Sequence, residues 1–70
     1  MWTVIYIAPS QPVAEEIRRR LHDHGLMVKV REGGTGRGSA DKRRVHFEVL
    51  VPESEAEEAH ELVAETLRSF

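Results

Sequence analysis

The segment from Arg44 to Val51 constrains this chain more than any other, because Val45, Phe47, Val49 and Val51 alternate without a break with Arg44, His46, Glu48 and Leu50. A period of two marks a strand buried on one face and open on the other, since successive side chains leave a pleated backbone in opposite directions. Pro52 ends the run, having no amide with which to continue a ladder. A half-buried strand needs strands beside it and a layer over its apolar face, so the remaining residues must supply both.

Two segments meet the first need. Trp2-Thr3-Val4-Ile5-Tyr6-Ile7-Ala8 is rich in β-branched and aromatic residues and stops at Pro9, and Leu26 to Arg31 again alternates with period two. Two helical patterns meet the second. After Ser10, a potential N-cap, and Pro12, tolerated in a first turn, Val13, Ala14, Ile17 and Leu21 recur at helical spacing until Gly25 supplies a left-handed stop. After Pro52, Ser54 and Glu57 have the spacing of a capping box, and Ala56, Ala59, Val63, Leu67 and Phe70 form an apolar stripe.

The order is therefore β-α-β-β-α, an α+β fold in one domain over residues 1–70. A helix between the first two strands and a hairpin into the third place the third strand in the middle, giving a three-stranded antiparallel sheet of order 1-3-2 in a two-layer, ferredoxin-like arrangement. With both helices on one face, Ile5, Ile7, Val28, Val30, Val45, Phe47, Val49 and Val51 should be covered by Val13, Ile17, Leu21, Ala59, Val63 and Leu67. At 70 residues only about 60% of the unfolded chain's surface can be buried, so such a core is thin.

The same alternation leaves an open face bearing Trp2, Val4, Tyr6, Met27, Lys29, Arg31, Arg44, His46, Glu48 and Leu50. Trp2, Val4, Tyr6 and Leu50 make it apolar enough to suggest a protein-binding surface, for which a symmetric homodimer is the simplest use. Trp2, Tyr6 and His46 beside Lys29, Arg31 and Arg44 are also the ingredients of a single-stranded RNA or DNA interface, where aromatic rings stack bases and cations hold phosphates. Against that alternative stand a net charge of −2, the absence of aromatic RNP sequences, and Glu48 in the middle of the face. Charge is also uneven along the chain: nine Lys/Arg and five Asp/Glu precede Val45, while Arg68 faces seven Glu after it.

Gly33-Gly34-Thr35-Gly36-Arg37-Gly38-Ser39 outlines GxxxxG followed by Ser but lacks the lysine of a phosphate loop, and it joins two strands rather than a strand and a helix. It reads as a flexible hairpin loop over about 33–42, with a weak anion or nucleotide contact through Arg37, Lys42, Arg43 and Arg44 as a third possibility. His22 and His24 are two apart on a helix and diverge by roughly 200°, so they do not suit one metal ion. No metal, cofactor or catalytic residue is assigned, and no serine triad or carboxylate pair has a pocket to serve in a two-layer domain of this size. The expectation is a non-enzymatic module.

The absence of cysteine fits a reducing cytoplasm, and the apolar run Val4–Ala8 is too short for a membrane span and lacks the flanks of a signal peptide. Met-Trp-Thr-Val-Ile-Tyr-Ile-Ala-Pro at the start and Val-Leu-Val-Pro-Glu-Ser-Glu-Ala-Glu-Glu-Ala over 49–59 resemble small bacterial proteins of unassigned function. More loosely they are similar to a prokaryotic signal-transducing domain family, in which a strand ends in Ala-Pro before a helix and a later strand enters a helix through an acidic turn. The resemblance spans nearly the whole chain and implies a ferredoxin-like binding or regulatory module. It carries no ligand or active residue. Some similar short proteins bear the names of pyridoxal-phosphate decarboxylases, which require a large fold around a Schiff-base lysine that Lys29 and Lys42 do not offer.

Overall fold

A computed structural model describes residues 1–33 and 46–69. The elements are β1 (Trp2–Ala8), α1 (Gln11–Asp23), β2 (Lys29–Gly33), β3 (His46–Pro52), a 3-10 turn (Glu53–Glu55) and α2 (Ala56–Ser69). The three strands form one antiparallel sheet of order β1-β3-β2, as the alternation and connections lead one to expect. Both helices cover the same face. Their side chains Ala14, Ile17, Leu21, Ala59 and Val63 meet Ile5, Ala8, Val49 and Val51 in one core cluster.

The end of α1 shows how the sequence closes a helix. Gly25 adopts φ +88°, which favours glycine because a side chain there would crowd the backbone. Its amide donates to the His22 carbonyl at 2.9 Å, and the Leu26 amide donates to the Leu21 carbonyl at 3.2 Å. This is a Schellman closure, with buried Leu21 and Leu26 supplying the accompanying apolar contact. A Cβ on Gly25 would meet nothing within 4 Å, so the cost of Gly25→Ala is conformational alone. It should lie near 1–2 kcal/mol. Urea denaturation of that variant checks this, and an unchanged midpoint would show that the left-handed residue is not needed.

Four features differ from the sequence-based expectation. The largest is in β1, whose register against β3 runs Trp2↔Pro52, Thr3↔Val51, Val4↔Leu50, then Tyr6↔Val49, Ile7↔Glu48 and Ala8↔Phe47. A bulge at Ile5 therefore sets two residues, Ile5 and Tyr6, against Val49. Tyr6, expected on the open face, packs against the core cluster. Ile7, expected in the core, is 54% exposed. Partners directly opposite in an antiparallel pair share a face, so Ile7 stands with Glu48 away from the helices.

Second, β2 begins at Lys29 rather than Leu26, because Leu26 is used in closing α1. Gly33 is its last residue. The rest of the loop read over 33–42, with Arg37, Lys42 and Arg43, lies outside the described residues, as do Arg44, Val45 and Phe70. Third, the helix starts use fewer side-chain caps. Ser10 occupies the N-cap of α1 with no side-chain hydrogen bond, and Ser54 falls within the 3-10 turn rather than capping α2. That turn is tied down by other means: the Glu53 amide donates to the Met1 carbonyl at 2.8 Å, and the Met27 amide donates to Glu55 Oε1 at 3.0 Å.

Fourth, Leu67 is not a core residue, being 37% exposed. The buried stripe of α2 runs instead through Ala59, Val63 and Thr66. Thr66 can be buried there because its hydroxyl donates to the Leu62 carbonyl at 2.8 Å, which leaves no unpaired polar atom.

Candidate functional site: the open sheet face

The face away from the helices is built in rows across the three strands. One row is Ile7, Glu48 and Arg31; the next is Val4, Leu50 and Lys29; the third is Trp2 with Pro52. His46 stands opposite Gly33 at the loop end. Of the expected face residues, the structure brings together Trp2, Val4, Lys29, Arg31, His46, Glu48 and Leu50, with Met27 exposed just before β2. Tyr6 leaves the set and Ile7 enters it.

The charges on this face have partners within it. Arg31 donates to Glu48 Oε1 from Nε at 2.8 Å and from Nη2 at 2.5 Å. Both donors converge on one carboxylate oxygen, while His46 Nε2 lies 3.8 Å from the other. A Cβ on Gly33 would come within 2.7 Å of His46 Nε2 and 3.1 Å of Glu48 Oε2. Glycine at that position therefore leaves room for the His46 and Glu48 side chains to approach.

Lys29 solves a different problem. Its ammonium lies 4.8 Å from the centroid of the Trp2 ring, within the range at which a cation is attracted to an aromatic face. Trp2 is on β1 and Lys29 on β2, so the two edge strands make contact across β3. With Val4 and Lys29 directly opposite it, Leu50 is only 3% exposed although it faces away from the helices. Leu50 was expected to be a contact residue. It is instead a buried residue of the middle strand, set between Val4 and Lys29.

The exposed apolar side chains of the strands on this face lie on β1, with Met27 exposed just before β2. Trp2 is 40% exposed, Val4 39% and Ile7 54%, and β1 carries no charged residue along its seven positions. By contrast β2, the other edge, carries Lys29, Arg31 and Glu32, all exposed. Beside Trp2, His22, Gly25, Leu26, Met27 and Val28 line a shallow, mainly apolar hollow.

No three of His, Cys, Asp and Glu come together to hold a metal among the described residues. His24 Nδ1 lies 3.0 Å from the Arg20 carbonyl, consistent with a residue finishing its own helix. The charge pairs of α1 are local as well: Arg18 bonds to Glu15, and both Arg19 and Arg20 to Glu16. The hydrogen bond from Arg20, assisted by Arg19 and opposed by partial burial, holds the Glu16 carboxyl below its ordinary range. This lies on the helix layer, away from the open face.

Among the described residues no helix is long and apolar enough to cross a membrane. Comparison with protein-family models, with curated proteins and with solved structures finds no match.

Proposed function

We propose that this chain is a non-enzymatic interaction or regulatory module that pairs with a protein surface, in the first instance a second copy of itself, through the open sheet face. The observation that carries the reading is the uncharged strip Trp2, Val4 and Ile7, standing next to the Arg31–Glu48 ion pair and to Lys29 held over the Trp2 ring. An apolar strip beside an arginine already neutralised by Glu48 gains by meeting another apolar surface. A cysteine-free chain of this kind suits a reducing cytoplasm, and a regulatory role agrees with the resemblance to signal-transducing domains.

The same geometry weighs against single-stranded nucleic acid. Base stacking needs free aromatic faces, but Tyr6 is packed toward the core and Lys29 sits over one face of Trp2. Phosphate contact needs free cations, but Arg31 is held by Glu48. A small-anion contact through Arg37, Lys42 and Arg43 would involve residues outside those described.

Trp2 is the sole tryptophan, so its emission reports on the proposed surface without labelling. Raising the protein from about 1 μM to about 1 mM should shift that emission to shorter wavelength while sedimentation shows the mass doubling, as expected for a weak interface of small area. A constant spectrum together with a monomer throughout that range would refute pairing with itself. Oligouridylate added at low salt should leave the spectrum unchanged; a saturable, salt-sensitive quench would favour the nucleic-acid reading instead.

A further inference from the structure

The helix layer is wider than the sheet beneath it. A helix with its side chains is about 10–12 Å across, whereas neighbouring strands lie about 4.8 Å apart, so two helices side by side span roughly the width of four strands. The sheet has three. The shortfall falls at β1, because α1 packs against all three strands while the strand contacts of α2 are chiefly with β1 and β3. Leu62, Thr66 and Ser69 of α2 line a hollow against Arg20 and His24 of α1. Leu67 follows Leu62 by a rotation of about 140°, which sets it on the flank of α2 turned away from α1, over the outer side of β1. Its 37% exposure marks the place where the sheet ends one strand short of the helix above it.

The outer edge of β1 is open as well. Among the described residues β1 pairs on one side only, with β3, and no backbone hydrogen bond from outside the sheet reaches Trp2–Ala8. Such a row of amides and carbonyls is a template for another strand, which proteins usually guard with charge or proline. The opposite edge, β2, carries exposed Lys29, Arg31 and Glu32. β1 carries neither charge nor proline. The bulge at Ile5 bends its outer row without closing it.

We infer that this edge takes one extended segment of another protein, added antiparallel to β1 as a fourth strand, with alternate apolar side chains directed at Leu67. The inference goes beyond pairing through the open face and does not depend on it. In strand addition the main-chain bonds supply affinity, and contacts to alternate side chains supply selectivity. A single strand fits the missing width, and a whole second copy does not. Laying β1 against its own image would bring two overhanging α2 helices together and crowd them before the strands could pair.

The probe is a capped peptide of alternating valine and threonine with a lysine at each end, and the control is the same peptide N-methylated along its length. With the protein at about 50 μM and the peptide at about 2 mM, amide exchange followed by NMR should slow roughly tenfold at alternate residues of Trp2–Ala8 and stay unchanged over Lys29–Gly33. The N-methylated peptide should leave both strands unchanged. Leu67→Glu, at an exposed position outside the core cluster, should abolish the slowing while native circular dichroism is kept. Three results would overturn the inference: unchanged exchange in β1, slowing at β2 instead, or slowing in β1 that needs no peptide and grows with protein concentration. The last would make a second copy the occupant. None of them bears on the open face, whose pairing is read from Trp2 emission and sedimentation.

Discussion

Tyr6→Thr should cost this domain about 2–3 kcal/mol, whereas Ile7→Thr, one residue later, should cost under about 1 kcal/mol. Threonine preserves strand propensity at both positions, so the contrast isolates what each side chain buries. Tyr6 packs on the core cluster, and its loss removes aromatic contact from a layer with little to spare. Ile7 projects from the open face, 54% exposed, and gives up much less. For a domain of this length the first change corresponds to a fall in melting temperature of roughly 10–20 °C. Unbroken alternation predicts the reverse ranking, so thermal unfolding of the two variants decides whether the bulge at Ile5 is present in solution. A larger loss at position 7 than at position 6 would remove it, and with it the strip on which the pairing rests.

Leu21→Ala should be more damaging, at about 3 kcal/mol. Leu21 is fully buried and belongs to the core cluster together with Leu26, the other apolar residue of the α1 closure. Removing it leaves a cavity and loosens the turn that aims the chain into β2. Small domains have only a modest reserve of stability, of order 5 kcal/mol, so much of the population would be unfolded on mild heating. The same exchange at Leu67 should cost under about 1.5 kcal/mol, because that side chain is 37% exposed. Urea midpoints for the pair test the placement of the core: similar losses would mean that α2 turns Leu67 inward.

The architecture was legible because the strands and helices have different periods and clear stops. Phe47, Val49 and Val51 could face only one layer, Pro9 and Pro52 ended strands, and Gly25 ended a helix. From those, the strand order follows by connection rules. The Ile5 bulge was not legible, since β1 contains no glycine to mark it and every residue from Val4 to Ile7 suits either face. The only hint is Ala8, too small to be useful outside and well placed, at 0% exposure, against the helices.

Two further errors have a common origin in side chains with mixed character. Lys29 counts as a charge by alternation, yet its ammonium sits over the Trp2 ring from across β3. Leu67 falls on the apolar stripe by spacing, yet a hydroxyl bonded to the Leu62 carbonyl allows Thr66 to take the inner position. In each case a local contact, invisible to periodicity, decided which atoms met water. Ser54 shows the converse, a good capping spacing superseded by a 3-10 turn that the Met1 carbonyl and Met27 amide hold in place.

The bulge has one more effect, on volume. A regular strand over the seven positions of β1 would send three side chains, at 3, 5 and 7, toward the helices. With the extra residue the inward set becomes Thr3, Ile5, Tyr6 and Ala8, so the strand gives the interior a tyrosine and an alanine in place of Ile7. The irregularity that clears a phenol from the outer surface thus also thickens the inner layer, and the smoothness of the one and the density of the other have a single cause.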